Sequence, residues 1–260
     1  MIASRRLVWL GWSLILPAAL FWLWWTVSAN STNYVFPPLD RILQSLRADW
    51  LSRTGLEQAW PSLRNFALGY LAACALGIAV GGWLGRHTWS REALLPAMDF
   101  LRSLPPPVLL PLGVLALGTG HEMKIAVICL GSIWPVIFGA MEGVRALDPV
   151  RGSVLGVFHV RPLDRWRLVI LPHAAPHIVA GMQAALQIAF VLIVISEFIA
   201  STTGIGFTIL QASRTFRQAD MWAGVIFLGL LGLAVNLLFE LLKRRVLRWR
   251  IEESRLRLQQ

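Results

Sequence analysis

Lysine is almost missing from this chain of 260 residues: only Lys124 and Lys243 occur, and neither follows a glycine. That excludes a G-x-x-x-x-G-K-[ST] phosphate loop and nucleotide hydrolysis of that kind. Neither an H-E-x-x-H helix nor a G-x-S-x-G nucleophile elbow is present. The two cysteines, Cys74 and Cys129, each lie inside an apolar run, so they build no disulfide framework or zinc spacing and read as small buried hydrophobes. Charge is scarce too, at 15% of residues, and no internal repeat or low-complexity tract breaks the chain. His173 and His177 stand one helical turn apart, but no third ligand lies near them, so a metal site is not expected.

What fills the chain is apolar. Hydrophobic residues make up 56%, tryptophan alone contributes 13 residues, and the mean hydropathy is +0.61. Water does not solvate such a surface and a bilayer does, which points to an all-α, polytopic transmembrane bundle and away from an enzyme. The net charge of +10 comes almost wholly from arginines that flank apolar runs rather than forming a domain. With no recognition motif beside them, nucleic acid is excluded, and an anionic inner leaflet is the partner of that charge.

A crossing helix needs about 20 largely apolar residues. Six stretches qualify: Leu7–Val27, Asn65–Leu84, an irregular third ending in Val108–Leu117, Ile125–Met141, His173–Ala200 and Trp222–Leu242. The first is too long and too rich in tryptophan for a signal peptide and reads as a retained anchor. In the second, Gly69, Ala73, Gly77, Gly81 and Gly85 recur every fourth residue and share one face, where small residues let helices approach closely. The third comes after Arg102 and carries Pro105, Pro106, Pro107 and Pro111. Such backbone survives at membrane depth only inside protein or beside a water-filled cavity, unless the prolines form a break at the interface. Six crossings put both termini on one side. The arginine clusters at Arg5, Arg86, Arg145, Arg165 and Arg244 make that side the cytoplasm.

The domain expectation is then an anchor over 1–30, a periplasmic amphipathic segment over 31–59, a core over 60–245 with a cytoplasmic loop over 143–171, and a basic tail over 246–260. Between Pro37 and Arg53, apolar residues at helical spacing allow either a helix lying on the outer surface or a cap packed on the bundle. In the long loop, Val150–Val160 is expected to be a short helix that Pro162 ends, with a second helix from Leu163 to Leu171. Phe158, His159 and Arg161 form its apolar and basic knuckle. Glu197, near the outer end of the fifth span, is either a functional carboxylate or one satisfied at a helix end. Glu240 has Lys243 and Arg244 within a turn to pair with.

The long loop and the fifth span resemble the inner-membrane permeases of binding-protein-dependent ABC importers, of the nitrate, sulfonate and taurine type. Their loop motif, EAA-x3-G-x9-I-x-LP, ends here as Val169, Leu171 and Pro172, and Pro176, Gly181, Glu197, Gly204, Gly206 and Asp220 fall at later family positions. Upstream, Arg102 with Pro105 and Pro111 resembles the family's R-x-x-P and later proline. The likeness spans about residues 60 to 250. The motif's EAA falls on Ser153, Val154 and Leu155 and its glycine on His159, so the loop's length is kept and its signature residues are not.

The resemblance implies a permease subunit that forms the translocation pathway for a small anionic or organosulfur nutrient. Its partners would be cytoplasmic ABC ATPase subunits, a periplasmic or lipid-anchored solute-binding protein and a second permease chain. No cofactor would bind this chain, ATP being used by the ATPase. The coupling residues would be Ser153, Val154, Leu155, Gly156, Val157, Phe158, His159, Val160, Arg161, Leu171 and Pro172. Arg102, Pro105, Glu197, Gly204 and Gly206 would belong to the pathway or its gate. The rival is an ion-coupled secondary transporter, suggested by the broken span and Glu197.

Overall fold

The structure is a computed structural model that describes residues 2–29, 31, 33, 35–148, 157, 158 and 160–248. All elements among them are helices: α1 (Ile2–Ser28), α2 (Leu39–Ser45, continued by a π-helical turn Leu46–Trp50), α3 (Arg53–Arg86), α4 (Thr88–Ser103), α5 (Leu109–Leu117), α6 (His121–Arg145), α7 (Leu171–Ala200), α8 (Ile205–Arg214) and α9 (Gln218–Val246).

Three helices make the centre. α3 begins at an N-cap, Ser52, whose hydroxyl accepts from the Gly55 N–H at 3.3 Å. Its glycine face lies on α6, as the spacing predicts. A Cβ at Gly77 would stand 2.7 Å from the Val136 Cβ, and one at Gly69 2.8 Å from that of Ile128. Lipid gives no hydrophobic drive to associate, so this contact is held by close van der Waals packing, which any larger residue would spoil. α6 meets α7 as closely at Gly139 and Gly181. The Tyr70 hydroxyl donates to the Met182 carbonyl at 3.1 Å, tying α3 to α7. Cys74 and Cys129 are buried free thiols.

α3, α6, α7 and α9 are each long and apolar enough to cross a membrane. The α4–α5 pair, bent by 84°, counts as a fifth crossing if taken as one span, and the described apolar part of α1, Ile15–Ser28, is a shorter apolar helix. The bend is the proline run: Pro105 leads into a 3-10 turn, Pro106–Val108, lodged near the middle of α6, where a Cβ on Gly131 would approach the Pro106 Cβ at 3.1 Å. The break therefore sits at depth against protein, not at the interface.

One open alternative is decided and one expectation corrected. The 37–53 segment is a cap and not a surface helix: Leu39, Ile42, Leu46 and Trp50 are buried in one cluster with Ile205, Ile209, Ala223 and Phe227 of α8 and α9. The π-turn aims Trp50, whose Nε1–H donates to the Asp220 carbonyl at 3.2 Å, while the Ser45 hydroxyl donates to the Asp220 carboxylate at 2.8 Å. The second loop helix is not separate from the fifth span either. Arg165–Ala200 runs as one helix through Pro172 and Pro176, with a π-helical turn over Arg165–Ile170. Pro172 follows directly on that π-helical turn, and Pro176 lies inside the helix.

Candidate functional site

Glu197 lies in the last turn of α7 and is only 1% exposed. The chain then turns back and starts α8 at Ile205. The Ser62 hydroxyl of α3 donates to Glu197 Oε1 at 2.6 Å, and the Gly206 N–H donates to Oε2 at 2.8 Å. Ser62 Oγ in turn accepts from the Ile205 N–H at 3.0 Å. Two of the free N–H groups at the start of α8 are thus taken up by a carboxylate and a hydroxyl from other helices. The positive end of the α8 dipole favours the negative charge. Glu197 is in effect a remote N-cap.

That geometry explains the glycines. Gly204 has φ +112°, and a Cβ there would collide with the Glu197 carboxylate. A Cβ on Gly206 would stand 2.9 Å from the Glu197 Cβ. The structure therefore brings together Glu197, Gly204 and Gly206 of the sequence-derived set and adds three polar residues not singled out there. Ser62 is one. Lys124, 3% exposed, donates to Ser201 Oγ at 2.7 Å. Asn65, fully buried, is 3.0 Å from His121 Nδ1 through its Nδ2, and its Oδ1 has no partner among the described residues. Periodicity could have flagged Lys124, which shares its helix face with Val127 and Ile128.

Arg102 and Pro105 lie apart from this clasp. Arg102 pairs with Asp99 at 2.9 Å, and its guanidinium stacks 4.5 Å over the Phe138 ring of α6. Pro105 is exposed at the α4–α5 break.

The opposite end of the bundle carries the long loop. Val157 and Phe158 are 73% and 75% exposed, and Arg161 is exposed as well. Ser153, Val154, Leu155, Gly156 and His159, with most of the expected 150–160 helix, lie outside the described residues. Leu171 and Pro172 open α7, directly after the buried Ile170. Glu240 pairs with Lys243 and with Arg244, the latter at 3.2 Å, as its spacing predicts. No group of three or more potential metal ligands occurs among the described residues, His173 and His177 included.

A model of the binding-protein-dependent transport system inner membrane component family matches residues 73–250. The taurine transport system permease protein TauC of Escherichia coli (strain K12) is 30% identical over 264 residues, covering 95% of this chain and 94% of its own length. The nitrate import permease protein NrtB of Leptolyngbya laminosa is 32% identical over 185 residues, covering 71% of this chain and 66% of its own. Among solved structures, a chain of the MetNI methionine ABC transporter in an inward-facing conformation superimposes with a TM-score of 0.61 at 18% identity, over 72% of this chain and 93% of its own. That last likeness is one of fold.

Proposed function

The chain belongs to the family of binding-protein-dependent transport system inner membrane components, and from that premise we propose a set of partners, a membrane orientation and a solute class for it. As a family member it is a multi-pass inner-membrane permease subunit of an ABC importer. It is a transport component and not an enzyme, and ATP is hydrolysed by a separate subunit. An ATPase and a solute-binding protein complete such a system.

In our reading the loop between α6 and α7 faces the cytoplasm and seats the ATPase, with both termini on that side. The observation that carries this is the exposed knuckle of Val157, Phe158 and Arg161, standing at the end of the bundle where arginines gather. A surface both apolar and basic suits a protein groove better than water. The solute-binding protein would meet the α2 cap and α8 at the other end. A second permease chain would adjoin the α4–α5 break. The exposed Leu104 and Pro105 leave the break uncovered on one side, where a protein neighbour or an aqueous path suits irregular backbone better than lipid. Arg102 and Pro105 would line that path, and Glu197, Gly204 and Gly206 would hold its outer end rigid. The solute would be a small oxyanion or sulfonate, by similarity to the taurine and nitrate permeases. ATP would bind the partner, and this chain would carry no cofactor.

The ion-coupled carrier reading loses its main support, because both Glu197 oxygens are engaged by Ser62 and Gly206. Purification in mild detergent should recover an ABC ATPase with the chain. Phe158→Glu or Arg161→Glu should cut that recovery by about tenfold, as expected for an interface anchor. Failure to recover an ATPase with the unaltered chain in any mild detergent overturns the reading. Ligand-induced thermal stabilisation of the accompanying binding protein would identify the solute.

A further inference from the structure

A cavity of about 470 Å³ opens at the arginine-bearing end, where α3 turns into α4 and α6 leads into the loop. Arg86, Arg91, Arg145 and Arg165 line it beside Thr88 and backbone and apolar residues, and no carboxylate does among the described residues. Arg86 and Arg145 close α3 and α6, where a cation offsets the helix dipole. The same rule does not account for Arg91 or Arg165. Arg91 stands at the start of α4, and Arg165 opens the helix that continues into α7. Both are helix beginnings, where a cation is unfavourable.

The two misplaced arginines are also the sheltered ones. The Arg91 side chain is 14% exposed, and its nearest carboxylate is that of the exposed Glu92, at 3.8 Å. Arg165 is half-buried, and its Nε is buried with no acceptor among the described residues. Leaving a charged donor buried and unpaired is among the costlier arrangements a fold can hold. An anion that accepts from several guanidinium forks at once would remove that cost.

Its depth narrows the chemistry. Trp83 and Trp89, 48% and 81% exposed, flank Arg86 and Thr88 in sequence. Exposed tryptophans of this kind sit at headgroup level, and basic pockets between helices take up phosphate-bearing headgroups.

We propose that this cavity is a phosphate-binding site, placed to hold the headgroup phosphate of an anionic phospholipid. A free phosphate ion shares the chemistry, while the depth favours the lipid. That the site belongs to the cytoplasmic leaflet rests on the orientation proposed above; that it binds phosphate does not.

The full chain, stripped of lipid in a neutral maltoside detergent, is titrated with dihexanoyl phosphatidylglycerol, and binding is read by native mass spectrometry and thermal shift. The Arg86→Gln/Arg145→Gln double variant alters two exposed side chains, so it keeps the fold and should bind roughly tenfold or more weakly, as expected for lost charge-assisted contacts. Arg165→Gln should weaken binding similarly, and Arg53→Gln, at the far end of α3, should not change it. Competition by inorganic phosphate assigns a site open to the free ion; binding that phosphate does not displace assigns the headgroup. Phosphatidylglycerol binding equal in the double variant and the unaltered chain overturns the proposal, as does no binding at all. Recovery of an ATPase with the unaltered chain is a separate readout, so this result and the permease reading fail independently.

Discussion

At the Glu197 end, nearly every buried polar group has a partner inside the chain. The carboxylate takes up Ser62 and Gly206, Ser62 takes up Ile205, and Lys124 donates to Ser201. At the opposite end Arg86, Arg91, Arg145 and Arg165 surround an open cavity without a carboxylate among them, and Phe158 stands in solvent. Burying a polar group costs unless it is hydrogen-bonded, so the first end, Asn65 Oδ1 apart, is closed within one chain and the second is built to be completed by something else. A part that must hold its shape and a part that must engage neighbours are thereby kept apart, joined by the close-packed α3–α6 pair.

Changes at the clasp should therefore cost stability, and changes at the arginine end should cost association. The largest loss is expected from Glu197→Ala, which strands the Ser62 hydroxyl and the Gly206 N–H in a buried site. On the order of 3 kcal/mol should disappear from unfolding in detergent. Gly204→Ala places a Cβ against the same carboxylate at a positive φ and should cost about 2 kcal/mol. Gly77→Val pushes α3 off Val136 and should cost roughly 1–3 kcal/mol, with Gly229→Ala, in open space on α9, as its matched control. Phe158→Glu should leave stability within about 0.5 kcal/mol while reducing ATPase recovery. If Phe158→Glu unfolded the chain, or Glu197→Ala left its stability unchanged, the contrast between the two ends would be broken.

Much of the membrane architecture was legible in the sequence. A glycine every fourth residue can only make a flat helix face, and that face does lie on α6. A proline run inside an apolar stretch must interrupt a helix, and the interruption is there. The family positions Glu197, Gly204 and Gly206 were visible as residues, but their joint purpose was not, because it depends on a chain reversal that brings α8 back over the end of α7. The cap was equally opaque: the apolar face over residues 37–53 satisfies a bilayer surface or a protein surface alike, and only the Trp50 and Ser45 contacts to Asp220 decide it. The four cavity arginines come from three separate stretches, so each alone reads as a topology signal. Pro172 suggested a break where the helix in fact continues, through a π-helical turn that ends just before the proline.

The clasp also sets an order of events during synthesis. Ser62 leaves the ribosome 135 residues before Glu197, so the hydroxyl is already in the membrane when the carboxylate arrives. Gly206 emerges nine residues later. For that short interval the nascent chain carries a carboxylate at the end of a long apolar segment with only half of its partners made. The clasp therefore closes only once the start of α8 has emerged from the ribosome.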